Sequence, residues 1–339
     1  MIVVQSPLHA RHDGGMELHR GALVPSFESP DRVDHILRAV SGKWPCIEPR
    51  PHAEAELHTV HDPAYVEFLR TAYTRWQADG RDGSMLPSGF PARSLRQDRV
   101  PDGINGAMGY YAFDAGTPIV AGTWEAAFAA ARCALTAAAL VSEGARSAYA
   151  LCRPPGHHAA RSVYGGYCYL NNAALAAQAL RDAGRARVAI LDIDYHHGNG
   201  TQDIFWSRGD VHFTSIHGSP DTEYPYFLGY ADETGVGEGA GCTRNFPLPR
   251  GTGWDTYAAA LEEAMAGLRA FAPDALVVSL GVDAFEHDPI SSFRLSSAHF
   301  ADIGHRIAAA GWPTVLVQEG GYAVEDIGTN VVAVLSAFG

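Results

Sequence analysis

Along this 339-residue chain, apolar positions follow two alternating rhythms. Short aliphatic runs recur near 2–5, 46–49, 147–152, 188–193, 211–216, 243–247, 275–281 and 314–319. Runs of this length, rich in Val, Ile and Leu, predict strands buried on both faces of a parallel sheet. Between most of them the patterning predicts helices. Ser29-Pro30 starts one with a capping hydroxyl and Pro at its first position, and Gly42 ends it. Asp62-Pro63 starts the next, with Val66, Leu69, Tyr73 and Trp76 along one face. Thr123-Trp124 opens an Ala-rich helix to about Glu143, and others are predicted near 172–182, 254–270, 297–310 and 324–337. Alternating strands and helices imply an α/β fold: one domain over 1–339, with an eight-stranded, mainly parallel sheet covered by helices on both faces. The exception to the rhythm is 77–106, a long Gly-, Pro-, Ser- and Arg-rich segment without periodicity. A segment of that kind in a compact domain is either functional or disordered.

The aliphatic run Val188–Ile193 drives straight into Asp192, Asp194, His196, His197 and Asn199. Ionisable groups at the end of a buried strand need partners, because burying a bare charge is costly. Asp194 and His196 are two residues apart, so in extended geometry they point to one side and begin a divalent-metal site. A third ligand is offered by Asp283, just past the run at 275–281. Two carboxylates and one imidazole suit zinc first, with Fe2+ or Co2+ also compatible. Two further runs end comparably: 147–152 leads into Arg153-Pro154-Pro155-Gly156-His157-His158, and 314–318 into Glu319-Gly320-Gly321-Tyr322. Sites in open α/β sheets form beyond the carboxyl ends of the strands, so these four ends are expected to meet.

Composition narrows the function. Hydrophobic content of 47% and charged content of 19% are globular values. No run reaches about 18 apolar residues, so no membrane span is expected. The opening MIVVQS has no basic region before its apolar residues, which argues against a signal peptide. Five cysteines, an odd number with no CxxC pair, point to a reduced, cytoplasmic protein. A net charge of −13 argues against a nucleic-acid partner and favours a cationic substrate.

RPPGHHA, GGYCYLNNAA, LDIDYHHGNGTQDIF, SLGVDAFEHDP and EGGY together resemble the motifs of the zinc-dependent histone deacetylase superfamily, which has the arginase/deacetylase fold. Glu17, LVPSFESPDR, GFPAR, GYY at 109–111, TWEAA at 123–127 and FLGYADETG at 227–235 resemble its bacterial acetylpolyamine amidohydrolase branch, so the resemblance covers essentially the whole chain. It implies Zn2+ on Asp194, His196 and Asp283, tandem histidines His157 and His158 as acid and base, and Tyr322 donating to the substrate carbonyl. It implies that Asp192 orients His157, and that Asn199 partners His158 where many relatives have Asp. It also implies a structural K+ at Asp192, Asp194, His196, Ser215 and Ile216, and a second monovalent site near Phe205, Arg208 and Val211. Substrate contacts would come from Glu17 and Asn105, the latter standing where the branch has a second acidic residue, and from Gly166, Tyr167 and Tyr224 along a tunnel. The insertion at 77–106 would lie at the active-site mouth and in a homodimer interface.

The implied reaction is hydrolysis of acetyl amides on small cationic amines. A deacetylase acting on protein lysines uses the same catalytic residues and remains an alternative, as does a non-catalytic acyl-binding protein. Arginase-like guanidine hydrolysis fits less well, since it needs further Asp/His ligands and SLGVDAFEHD supplies one obvious ligand.

Overall fold

The computed structural model describes residues 1–339. Its strands are β1 (Ile2–Val4), β2 (Met16–His19), β3 (Ala22–Pro25), β4 (Cys46–Ile47), β5 (Ser147–Ala150), β6 (Val188–Asp192), β7 (Val211–Gly218), β8 (Thr243–Leu248), β9 (Ala275–Leu280) and β10 (Thr314–Gln318). Eight of them form one sheet in the order β4-β1-β5-β10-β9-β6-β7-β8, and every neighbouring pair is parallel. The eight predicted runs are these eight strands, with ends shifted by up to two residues.

The helices are α1 (Asp31–Val40), α2 (Pro63–Ala78), α3 (Ile104–Tyr111), α4 (Thr123–Ser142), α5 (Asn172–Asp182), α6 (Asn199–Phe205), α7 (Trp254–Phe271), α8 (Ser297–Ala308) and α9 (Val324–Leu335). Side-chain alternation along each strand feeds two separate cores. On β6, Val188 and Ile190 join the residues of α4 and α5 on one face, while Ala189 and Leu191 join those of α7, α8 and α9 on the other. This two-sided burial is why the central strands read as unbroken apolar runs. α4 is long and apolar enough to cross a membrane by length and composition, but its most hydropathic stretch is 67% buried, packed on α5 and β5.

The order of the sheet carries the functional consequence. β5, β10, β9 and β6 are adjacent, so the four motif-bearing strand ends stand side by side. They lie where the chain, having crossed from β5 to β6, later returns to fill the gap with β9 and β10. Such a switch point opens a crevice at the carboxyl ends of the strands.

Three elements escaped the sequence reading: α3, α6 and the antiparallel hairpin of β2 and β3. The hairpin turns through Arg20 and Gly21, both at positive φ, as a tight two-residue turn requires. The segment between α2 and α3 has no regular structure but is anchored. Met85 and Ile119 exchange backbone hydrogen bonds of 2.8 and 3.1 Å, Tyr110 donates to the Gln97 carbonyl, and Arg75 to that of Asp102.

Candidate active site

Asp194, His196 and Asp283 converge beyond β6 and β9 as expected, each buried, with their candidate ligand atoms within 4.8 Å of one another. The space is shaped by glycine. A Cβ at Gly281 would lie 2.1 Å from Asp194 Oδ2, and one at Gly320 would lie 2.5 Å from Asp194 Oδ2 and 2.6 Å from Asp283 Oδ2. Backbone amides hold the carboxylates: Gly320 N donates to Asp194 Oδ2 at 2.7 Å, and Tyr195 N to Asp283 Oδ1 at 2.7 Å. His196 Nδ1 is 2.9 Å from Asp283 Oδ2. Burial and the neighbouring Asp194 charge push the Asp283 carboxyl up to about 8. Near neutral pH the Asp283 carboxyl therefore favours a bound proton, a place that a cation can take. A buried Asp2His set in a cradle that side chains would fill fits a divalent cation.

His157 and His158 follow β5, and their rings stand 4.0 Å apart. Asp192 Oδ2 meets His157 Nδ1 at 3.0 Å, and Asn199 Oδ1 meets His158 Nδ1 at 2.7 Å. Burial disfavours charge on His157, but the Asp194 and Asp192 carboxylates outweigh it and raise the ring to about 10. His158 goes the other way: burial, then the positive fields of His157 and His196, hold it well below the usual imidazole range. Two adjacent rings are thus driven apart in basicity, one toward the charged form and one toward the neutral form, which suits them to different roles.

Tyr322 follows β10 and lines the same cavity of about 440 Å³, and burial keeps its phenol protonated. Glu17, on β2, is 2% exposed and accepts from the Tyr167 hydroxyl at 2.7 Å. Gly166, Tyr167 and Tyr224 line the cavity, with the Tyr224 ring edge-on to His158 at 5.1 Å. The expected potassium residues cluster at one buried strand end, where β6–β7 register sets Asp192 beside Ser215. Asn105 is not part of this cavity. It is exposed on α3, in a shallow groove with Phe90, Pro91 and Leu95, and its side-chain oxygen accepts from Arg81.

The sequence reading missed a buried ionic network behind Tyr322. Glu28 Oε1 accepts from Arg32 Nη1 and Arg153 Nε, both at 2.8 Å, and Arg32 continues to the carbonyls of Glu319 and Gly321. Glu319 in turn accepts from the amides of Gly156 and His157, tying β10 to the tandem-histidine loop. It also missed Asp114, whose carboxylate receives the Tyr224 hydroxyl and the Gly166 amide. The only sequence signal for the network was the i,i+4 spacing of Glu28 and Arg32 inside SFESPDR.

The chain is similar along its whole length to known proteins. Residues 26–338 match the histone deacetylase domain family. Acetylpolyamine amidohydrolase 1 of Pseudomonas aeruginosa is 53% identical, over 100% of this chain and 99% of that relative. Acetylpolyamine amidohydrolase 2 of the same organism is 52% identical, over 100% and 98% respectively. The crystal structure of an acetylpolyamine aminohydrolase from Burkholderia pseudomallei superposes with a TM-score of 0.95 at 40% identity, covering 100% of this chain and 98% of that one.

Proposed function

Because this chain belongs to the histone deacetylase family, we propose that it is a metal-dependent amidohydrolase that removes acetyl groups from acetylated polyamines and diamines, releasing acetate and the free amine. The observation that carries the reading is the convergence of His158, His196 and Tyr322 on one cavity walled by the buried Glu17 carboxyl, with His157 beside His158 and Asp194 and Asp283 grouped with His196.

Asp194, His196 and Asp283 would hold a divalent ion, zinc before Fe2+ or Co2+, which would supply Lewis-acid polarisation of the amide carbonyl and lower the pKa of a water molecule. The remaining work falls to the chain itself. The Asn199 amide nitrogen faces the His158 carbonyl at 3.4 Å, which turns its oxygen toward the ring. Nδ1 of His158 therefore carries the proton, and Nε2 is free to take one from the attacking water as general base. The same nitrogen then returns a proton to the departing amine. His157, whose basicity the neighbouring carboxylates, Asp192 among them, raise, would lend positive charge beside the His158 ring 4.0 Å away. Tyr322 donates its hydroxyl hydrogen to the developing oxyanion. Tyr167 and Tyr224 flank a thin aliphatic linker, and Glu17 attracts its distal ammonium.

The reading includes a structural potassium ion at Asp192, Asp194, His196, Ser215 and Ile216, supported by the crowding of carboxylates at that buried end. It includes a homodimer through the 77–106 segment, supported by Leu95, which is 60% exposed in a groove with Phe90 and Pro91. Asn105 lines that groove, so its contact with substrate would cross the subunit boundary. Five free cysteines, three of them buried, suit the reducing cytoplasm.

Initial rates of zinc-loaded protein on N-acetylputrescine, N-acetylcadaverine, N8-acetylspermidine and an acetyl-lysine histone-tail peptide test the proposal. Turnover of the small amines with little of the peptide is the expected result. Preference for the peptide would replace the reading with a protein deacetylase, and no hydrolysis of any would leave an acyl-binding protein.

A further inference from the structure

Asp114 lies between α3 and α4, outside every motif used so far, yet it lines the active-site cavity. Its Oδ2 accepts the Tyr224 hydroxyl at 2.7 Å, the Gly166 amide at 2.6 Å and the Thr117 hydroxyl at 3.1 Å. Its Oδ1 accepts the amides of Gly116 and Thr117, both at 3.0 Å. A carboxylate offers about four lone-pair positions. Five donors leave none for a substrate ammonium, so the group is structural in the wall rather than a receptor for charge.

The two sides it ties together are the two sides of the tunnel. Tyr224 forms one wall, stacked on Phe113 at 5.9 Å. Gly166 and Tyr167 form the other. Thr117 Oγ1, itself bonded to Asp114, accepts the Tyr167 amide at 3.0 Å. Gly166 and Tyr167 both have positive φ, +56° and +65°. A non-glycine residue there costs on the order of 1 kcal/mol or more and persists only where its surroundings hold it. A Cβ on Gly166 would lie 2.2 Å from His158 Cδ2, so this wall is pressed against the catalytic ring with no slack. Both of these positive-φ residues thus hang on one carboxylate, Gly166 directly and Tyr167 through Thr117, and Tyr224 adds the bond that closes the hoop.

We propose that Asp114 is a specificity-determining positioning residue, whose hydrogen-bonded hoop to Tyr224, Gly166 and, through Thr117, Tyr167 fixes the tunnel width so that unbranched methylene linkers pass and branched ones do not. The inference rests on the amidohydrolase reading. Tyr224→Phe opens the hoop at one bond and keeps the ring stacked on Phe113. Asp114→Asn keeps one oxygen but turns a donor toward the Gly166 amide or the Thr117 side, breaking it elsewhere.

The test compares kcat/KM on N-acetylcadaverine with that on its branched analogue N-acetyl-3-methylpentane-1,5-diamine, together with amide hydrogen exchange of the segment 164–170. Wild type prefers the linear amide. Tyr224→Phe narrows that preference at least ~5-fold, chiefly through a lower KM for the branched substrate, and exchange at Gly166 and Tyr167 rises several-fold. Asp114→Asn does the same, and the double variant goes no further than the stronger single, because both act on one hoop. An unchanged preference in Tyr224→Phe overturns the proposal, as does unchanged exchange. Should Asp114→Asn not fold, Tyr224→Phe decides alone. Wild type that hydrolyses neither amide defeats the amidohydrolase reading instead, and the exchange measurement then still decides whether the hoop exists.

Discussion

The Arg32 guanidinium lies 4.8 Å from the centroid of the Tyr322 ring and donates to the Gly321 carbonyl, immediately before it, at 2.6 Å. A second arm reaches the Glu319 carbonyl at 2.6 Å, and Asp288 accepts the Tyr322 amide at 2.7 Å. The tyrosine is therefore aimed by a planar, multi-armed cation that a lysine cannot copy. Tyr322→Phe sets the scale of what is at stake, a loss of about 10²–10³ in kcat for one oxyanion donor. Arg32→Lys keeps the charge and loses the fork, so kcat should fall by roughly 10-fold, about 1.4 kcal/mol, with little change in KM. Arg32→Met also strips Glu28 of a buried partner and should cost about 3–5 kcal/mol of stability in denaturant titration. Wild-type kcat in Arg32→Lys would show that the placement of Tyr322 is independent of it.

Asn199 makes a second prediction, because it is a neutral partner for a ring whose basicity decides the acid side of the rate profile. The fields of His157 and His196 act on His158 in the same direction as burial, toward the neutral ring. Asn199→Asp places a negative charge at the 2.7 Å contact and must raise the His158 pKa. A base is lost as it becomes protonated, so the acid limb of the kcat/KM profile should move to higher pH. An unmoved limb in Asn199→Asp would take the base role away from His158.

How much of this was legible follows from what each residue touches. The metal cradle was legible because β6 and β9 are buried on both faces, so polar residues at their ends stand out against an apolar run. That four such ends meet follows from the parallel alternation, and the observed order β5-β10-β9-β6 places them side by side. The β2–β3 hairpin was illegible for the opposite reason. Leu18 and Leu23 face outward at 41% and 63% exposure, so its pattern carries no core signal. The Glu28–Arg32–Arg153 network spans 125 positions between Glu28 and Arg153, and ion pairs at that separation leave no periodic trace. Asp114 sits in a stretch without periodicity, and its partners are three backbone amides, which any residue type would present, and two hydroxyls, one of them 110 positions away. Asn105 was expected in an aperiodic loop and stands instead in the first turn of α3, a helix that was not foreseen because its eight residues include two glycines.

Glu17 should act on substrate binding and not on chemistry. Burial pushes its carboxyl above the ordinary value, partly opposed by hydrogen bonds from Tyr167, Ser26 and the Phe27 amide. The ionised form attracts the distal ammonium, so KM for N-acetylcadaverine should rise as pH falls through a pKa above the usual glutamate range. Glu17→Gln should show a KM raised by roughly 10-fold at neutral pH, with kcat nearly unchanged and the pH dependence of KM flattened. N-acetylbutylamine, which has no distal charge, is the control: a comparable rise in its KM would assign the effect to packing.

Metal removal should reveal the electrostatic frustration of the cradle. In the metal-free protein Asp283 is raised to about 8, by burial and then by Asp194. His196 is raised to about 10, where the hydrogen bonds and charges of Asp194 and Asp283 overcome burial. For both groups the folded chain binds protons more tightly than the unfolded one, so their stabilising contribution is present at low pH and lost as pH rises. For Asp283 that loss spans the window from about 4 to about 8, and for His196 it extends from about 6.5 to about 10. A divalent ion replaces the protons, and at 1,000-fold excess over its Kd it adds about 4 kcal/mol. The gap in Tm between zinc-loaded and chelated protein should therefore widen steadily from pH 5.5 to 8. In Asp283→Asn, which has no carboxyl to neutralise, the chelated protein should lose less Tm over that window than chelated wild type. A gap that stays constant or narrows with pH would place the metal somewhere other than Asp194, His196 and Asp283.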